Sequence, residues 1–112
     1  MSGQDHNRRI LEMVGLLQLI ANPQRLRVLC ELRTGERNVS QLESVLDLSQ
    51  SALSQHLARL RDGGIVQARK IGREQIYDIS DTRVRMLLDT MAKLPGPCQP
   101  QSRAKARKSA KI

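Results

Sequence analysis

Three groups of residues in this 112-residue chain have types and spacings suited to chemistry. Between Ser49 and Arg61, the residues Ser51, Ser54, Gln55, Ala58 and Arg59 fall on one side of a helical wheel, opposite Leu53, Leu57 and Leu60. Small serines and an alanine let a backbone come close to another surface. Gln55 and Arg59 carry the donors and acceptors that suit adenine and guanine edges. A few residues on, Arg69, Lys70 and Arg73 cluster at a turn, where cations meet phosphates without reading sequence. Cys30 and Cys98 are the two thiols of the chain. Each group also has an ordinary reading: an amphipathic helix of a small domain, solubilising charges on an exposed hairpin, and two unrelated thiols.

The elements that must position these residues are legible as local signals. Ser49 is a good N-cap residue for a helix from about Gln50 to Arg61. Such a helix is roughly 18 Å long at ~1.5 Å per residue, short enough for one major groove. Gly63-Gly64 ends it with the positive-φ freedom of a C-terminal cap. Ile65 to Ile71 and Glu74 to Ile79 read as strands, joined by a two-residue turn, Gly72-Arg73. Upstream, Ser40 and Glu43 fit a capping box for a short helix through Leu46. With the connector Asp47-Leu48-Ser49, this helix and the next make a helix-turn-helix. Asn22-Pro23 opens a helix to about Arg33 that carries Leu26, Leu29, Cys30 and Leu32.

Two more helices flank this unit. Between Arg8 and Ile20, a stripe of Ile10, Met13, Val14, Leu17 and Ile20 is widened by Leu11, Leu16 and Leu19. That is more than one core needs, and it suits a subunit interface, a simple buried helix being the alternative. Ser80-Asp81 caps a last helix to about Leu94, with Val84, Leu87, Leu88 and Met91 along one face. The expected fold is mainly α with a β-hairpin wing, in the order α-α-α-α-β-β-α.

Composition sets the boundaries. The chain has no Trp or Phe and one Tyr, so its core must be aliphatic. A small core of this kind is marginal alone, and dimerisation remedies that. The net charge is +8; residues 95–112 hold five basic residues and no acid, which leaves 8 − 5 = +3 for residues 1–94. The expected division is a folded domain at 1–94 and a disordered Pro-rich basic tail at 95–112 that carries Cys98. The tail either attracts nucleic acid nonspecifically or only solubilises. No apolar run approaches ~18 residues and no signal peptide is evident, so a cytoplasmic protein without membrane contact is expected. No phosphate-binding glycine loop or nucleophile–base arrangement points to an enzyme.

The stretches NPQRLRVLCEL (22–32), LSQSALSQHLARLRDGGIV (48–66) and GREQIYDI (72–79) make the chain resemble the ArsR/SmtB family of winged helix-turn-helix repressors. The likeness covers about residues 8–94. It implies a homodimer joined by its first and last helices. It also implies binding to an imperfect promoter palindrome in double-stranded DNA, and release by an inducer. By the family's pattern, DNA contacts fall at Gln50, Ser51, Ser54, Gln55, His56 and Arg59, with help from Arg69, Lys70 and Arg73. Two-fold symmetry then places half-sites about one turn, ~10 bp, apart.

The family's metal sites are not matched. Residues 38–42 lack the two thiols of one site. The last helix keeps Asp81 but has Arg83 and Leu94 where histidines stand in the other, so no metal and no cofactor are expected. His6 and His56 read as surface or DNA-facing residues. The pair of Cys30 and Cys98 resembles the BigR/SqrR/HlyU branch, in which two cysteines form a disulfide or polysulfide bridge in response to reactive sulfur or oxidants. Cys98 departs from that pattern by following Pro95-Gly96-Pro97, past the helix end. Two alternatives remain at this point. One is an arsenite-responsive repressor using the same thiols, for which two per chain make a poor site. The other is a winged-helix protein-interaction module without DNA binding.

Overall fold

The computed structural model describes residues 3–95, so the expected tail beyond Pro95, including Cys98, lies outside the described residues. Helix α1 spans Gly3–Ile20 and begins earlier than the expected Arg8. Only Leu16 and Ile20 of α1 are buried, with Leu19 packed partly against the core. Ile10, Leu11, Met13, Val14 and Leu17 are all exposed.

Helix α2 (Pro23–Arg33) starts where Asn22-Pro23 places it. The Asn22 Oδ1 accepts the backbone N–H groups of Gln24 and Arg25, each at 3.0 Å, which satisfies two of the first-turn donors. Val28, Leu29, Cys30 and Leu32 face the core, whereas Leu26 packs there only in part.

A two-residue strand β1 (Arg37–Asn38) follows, and then helix α3 (Val39–Val45). The cap of α3 corrects the expected one. Asn38 Oδ1 accepts the Gln41 N–H at 2.7 Å, and Gln41 Oε1 accepts the Asn38 N–H at 2.8 Å. The capping box is therefore Asn38/Gln41, two residues ahead of Ser40/Glu43. Asn38 has the advantage because strand pairing with Ile76 already holds it extended, as an N-cap must be.

Helix α4 (Gln50–Asp62) is capped by Ser49, whose Oγ accepts the Ala52 N–H at 3.0 Å. Its C-terminus is a Schellman motif. The Ile65 N–H reaches the Leu60 carbonyl at 2.9 Å and the Gly64 N–H reaches the Arg61 carbonyl at 3.0 Å. The two glycines have different jobs. Gly64 takes the left-handed conformation, with φ of +79°, whereas Gly63 has φ of −82°. Gly63 instead leaves room for α1: a Cβ there would overlap Leu19 Cδ1, which would have to shift.

Strands β2 (Val66–Ile71) and β3 (Glu74–Ile79) pair antiparallel from Val66↔Ile79 to Ile71↔Glu74, closed by Gly72 at φ +62°. Because β1 pairs with the far side of β3, the expected two-stranded hairpin is a three-stranded sheet of order β1-β3-β2. Helix α5 (Thr82–Met91) is capped by Asp81, which accepts the Arg83 and Val84 N–H groups at 2.8 and 3.2 Å. It ends at Met91 rather than Leu94, and its core face is Val84 and Leu88. The core is aliphatic throughout apart from Cys30, and among the described residues no polar side chain is buried in it. No described helix is long and apolar enough to cross a membrane.

Candidate nucleic-acid interface

Leu53, Leu57 and Leu60 of α4 are fully or almost fully buried, which fixes the helix's rotation about its own axis. The opposite side is consequently forced outward: Gln50, Ser51, Ser54, Gln55, Ala58 and Arg59 are all exposed. Leu42 and Leu46 anchor α3 in the same core, so the turn at 47–49 joins two helices of fixed relative position. Among the described residues, the side chains of Ser51, Ser54, Gln55 and Arg59 have no hydrogen-bond or ion-pair partner. A row of polar groups without internal partners, on a rigid helix, is available to an external ligand with edges of its own.

His56 departs from this row. It is half-buried, and its Nδ1 is sealed from solvent without a hydrogen-bond partner. Burial lowers its pKa below the ordinary histidine value, and the charges of Arg25 and Arg59 push it further the same way. Near neutral pH the ring is therefore uncharged.

The wing divides the three cations that the sequence groups together. Successive residues of a strand point to opposite faces. Lys70 lies on the face shared by buried Val66 and Ile79 and half-buried Tyr77, whereas Arg69 lies on the outer face, opposite Ile76. Lys70 and Arg73 make no ion pair among the described residues. Arg69 does: its Nη2 meets Glu36 Oε1 at 2.6 Å, across the sheet. Sequence reasoning missed Glu36 because the contact depends on β1, which no local signal marks.

The remaining singled-out residues lie away from this face. Cys30 sits on α2 at 9% exposure. One turn on, Arg33 Nε bonds Asp89 Oδ1 of α5 at 2.8 Å, tying the ends of these two helices together. Arg83 turns back onto Asp81, with Nη2 to Oδ2 at 2.8 Å and Nε to Oδ1 at 3.3 Å. This hydrogen-bonded guanidinium is the main reason that the Asp81 carboxyl lies below the usual carboxylate range. Its Nη1 also approaches Met13 Sδ of α1 at 3.8 Å. Among the described residues no group of three or more His, Cys, Asp and Glu side chains is placed to hold a metal ion.

Similar proteins share this architecture. The profile of bacterial regulatory proteins of the arsR family matches residues 22–68. The transcriptional activator HlyU of Vibrio cholerae is 42% identical over 94 residues, which is 84% of this chain and 87% of HlyU. A solved structure, reduced HlyU from the same species, superposes with a TM-score of 0.78 at 42% identity over 86% of this chain and 99% of that one. The transcriptional repressor BigR from Xylella fastidiosa superposes with a TM-score of 0.75 at 30% identity, covering 86% and 98% respectively. With this fold, this helix-turn-helix and these relatives, the chain belongs to the ArsR family of bacterial transcriptional regulators.

Proposed function

We propose that this regulator is a homodimeric repressor that binds a promoter palindrome through α4 and is released when Cys30 and Cys98 become bridged. The observation that carries the DNA-binding half is the outward row of unpartnered polar groups on α4, backed by three buried leucines. Gln55 and Arg59 read base edges there, Ser51 and Ser54 allow close approach, and Lys70 and Arg73 meet flanking phosphates. The exposed apolar side of α1, with Met86 and Leu94 near the chain's other end, supports pairing of two copies. Among the relatives, HlyU is named an activator and BigR a repressor. A promoter-reporter assay tests repression: deletion of the regulator should raise expression from its promoter, and a fall would mean activation.

The release mechanism uses the two thiols. A Cys30 thiolate attacks a polysulfide R–S–S–S–R, forming Cys–S–S–R and expelling R–S–S⁻. The second thiolate then displaces R–S⁻ to leave a protein disulfide, so the polysulfide is the oxidant and the cysteines are oxidised. Reach supports this pairing. Cys98 lies 98 − 95 = 3 residues past Pro95, the last described residue, a span of up to about 11 Å. Arg33–Asp89 already brings α2 and the last turns of α5 together. A bridge would fix α2 to the chain beyond α5 and move the two copies of α4 relative to one another. That weakens operator binding by a coupling of about 1–3 kcal/mol.

A gel-shift comparison of reduced and tetrasulfide-treated protein tests the switch, and equal operator affinity in both states contradicts it. Cys30→Ser is expected to bind DNA normally and to stop responding. Mass spectrometry after arsenite or persulfide exposure separates a metalloid sensor from a sulfur sensor.

A further inference from the structure

Arg69 and Lys70 are adjacent in sequence but not in surroundings. Arg69 pairs in register with Ile76 of β3, and Ile76 pairs on its other side with Asn38 of β1. These three positions share the outer face of the sheet, and Glu36, two residues before Asn38, has the same parity. The Arg69–Glu36 ion pair at 2.6 Å therefore bridges the whole width of the sheet, from its β2 edge to its β1 edge. Glu36 is supplied by the loop between α2 and β1, a different part of the chain from the wing. A second acidic group, Glu74, stands on the same face and accepts a hydrogen bond from Asn38 Nδ2 at 2.9 Å. Lys70 and Arg73 have no such counter-charge among the described residues.

We propose that Glu36 acts as an internal stand-in for a DNA phosphate at Arg69. A carboxylate oxygen accepts from a guanidinium N–H as a phosphate oxygen does, and Glu36 Oε1 does so here through one contact with Arg69 Nη2. Held by Glu36, Arg69 is kept off the duplex, and each wing presents two phosphate-binding cations, Lys70 and Arg73, rather than three. Sequence-independent affinity grows with every phosphate neutralised, so this restraint lowers the phosphate-borne share of binding to any duplex while leaving the reading face of α4 untouched. Glu36 is thus a positioning residue that sets the sequence-independent share of affinity through Arg69. The inference rests on the DNA-binding reading above.

The test is the salt dependence of binding to a selected operator and to an unrelated duplex, measured by fluorescence anisotropy with reduced protein. Each phosphate contact contributes about −0.9 to the slope of log K against log salt, so one per wing is about −1.8 for a dimer. Arg69→Gln is expected to leave both slopes unchanged. Glu36→Gln is expected to steepen both by about 1.8 and to tighten both duplexes by a similar factor. The double variant Glu36→Gln/Arg69→Gln is expected to return to the slope of the parent. If Arg69→Gln alone flattens the slope, Arg69 is already on phosphate and the stand-in is wrong. If the double variant keeps the steeper slope, Glu36 acts only as a general negative charge, and the proposal is equally overturned. Both side chains are about half exposed, so thermal melts of the variants check folding independently. Absence of any operator preference in the parent protein would count against the repressor reading instead, and the slopes on unrelated DNA would still judge Arg69.

Discussion

Helices α1 and α4 are both amphipathic, but among the described residues only α4 has its apolar side covered. In α4 every large apolar residue is buried, and the outward side is polar. In α1 only Leu16 and Ile20 are buried, and five large apolar residues remain exposed, Leu11 at 69%. A helix of the first kind is fixed by its own core and can present a rigid outer face to a ligand. A helix of the second kind leaves a surface that water disfavours, about 25 cal/mol for each Å² of apolar area, until something covers it. The proposed function assigns these surfaces a division of labour, in which α4 would carry recognition within one chain and α1 would set how two recognition helices are held.

The contrast breaks most visibly at the α4 core. Leu57→Ala removes a side chain with 1% exposure and is expected to cost about 2–5 kcal/mol. Calorimetry should show a melting temperature lower by ten degrees or more, or no folded protein at all. A loss comparable to that of an exposed leucine would mean that α4 is not locked by its core.

Val14→Glu addresses the other side. Val14 is 41% exposed on α1, so each chain should fold normally, yet dimer dissociation should rise at least tenfold, about 1.4 kcal/mol. Sedimentation equilibrium measures it. An unchanged oligomeric state would remove α1 from the interface.

A smaller effect sharpens the view of α4 itself. His56 has a folded pKa below its unfolded value, so between the two the unfolded chain binds more protons. Stability is therefore full above about pH 6.5 and falls as pH drops below that value. His56→Gln should flatten this part of the pH–stability curve, read from urea midpoints at pH 7.5 and 5.5. A parent curve flat across that window would contradict the buried, uncharged ring.

Much of this was legible in sequence because it was local. The Asn22-Pro23 start, the Ser49 cap, the alternation of leucines with polar residues in α4 and the Gly72 turn each specify a conformation within a few residues. What was not legible depends on pairing across long separations. Strand β1 exists only because Arg37 and Asn38 meet Tyr77 and Ile76. The α3 cap was displaced because Asn38/Gln41 and Ser40/Glu43 have the same three-residue spacing, and only β1 favours the first. Arg69 was grouped with Lys70 and Arg73 by proximity in the chain, and the partner that separates it is 33 residues away. His56 is likewise half-buried and feels the charge of Arg25 on α2, which a helical wheel of α4 alone does not show.

The most direct test is to compare Arg59→Ala with the parent on two DNAs: a duplex selected from a random pool by the parent protein, and an unrelated duplex of equal length. If the outer face of α4 reads base edges, the variant should lose about 1–3 kcal/mol, roughly 5- to 150-fold, on the selected duplex, with a much smaller change on the unrelated one. Equal losses on both duplexes, or no loss on either, would contradict a reading role for that face.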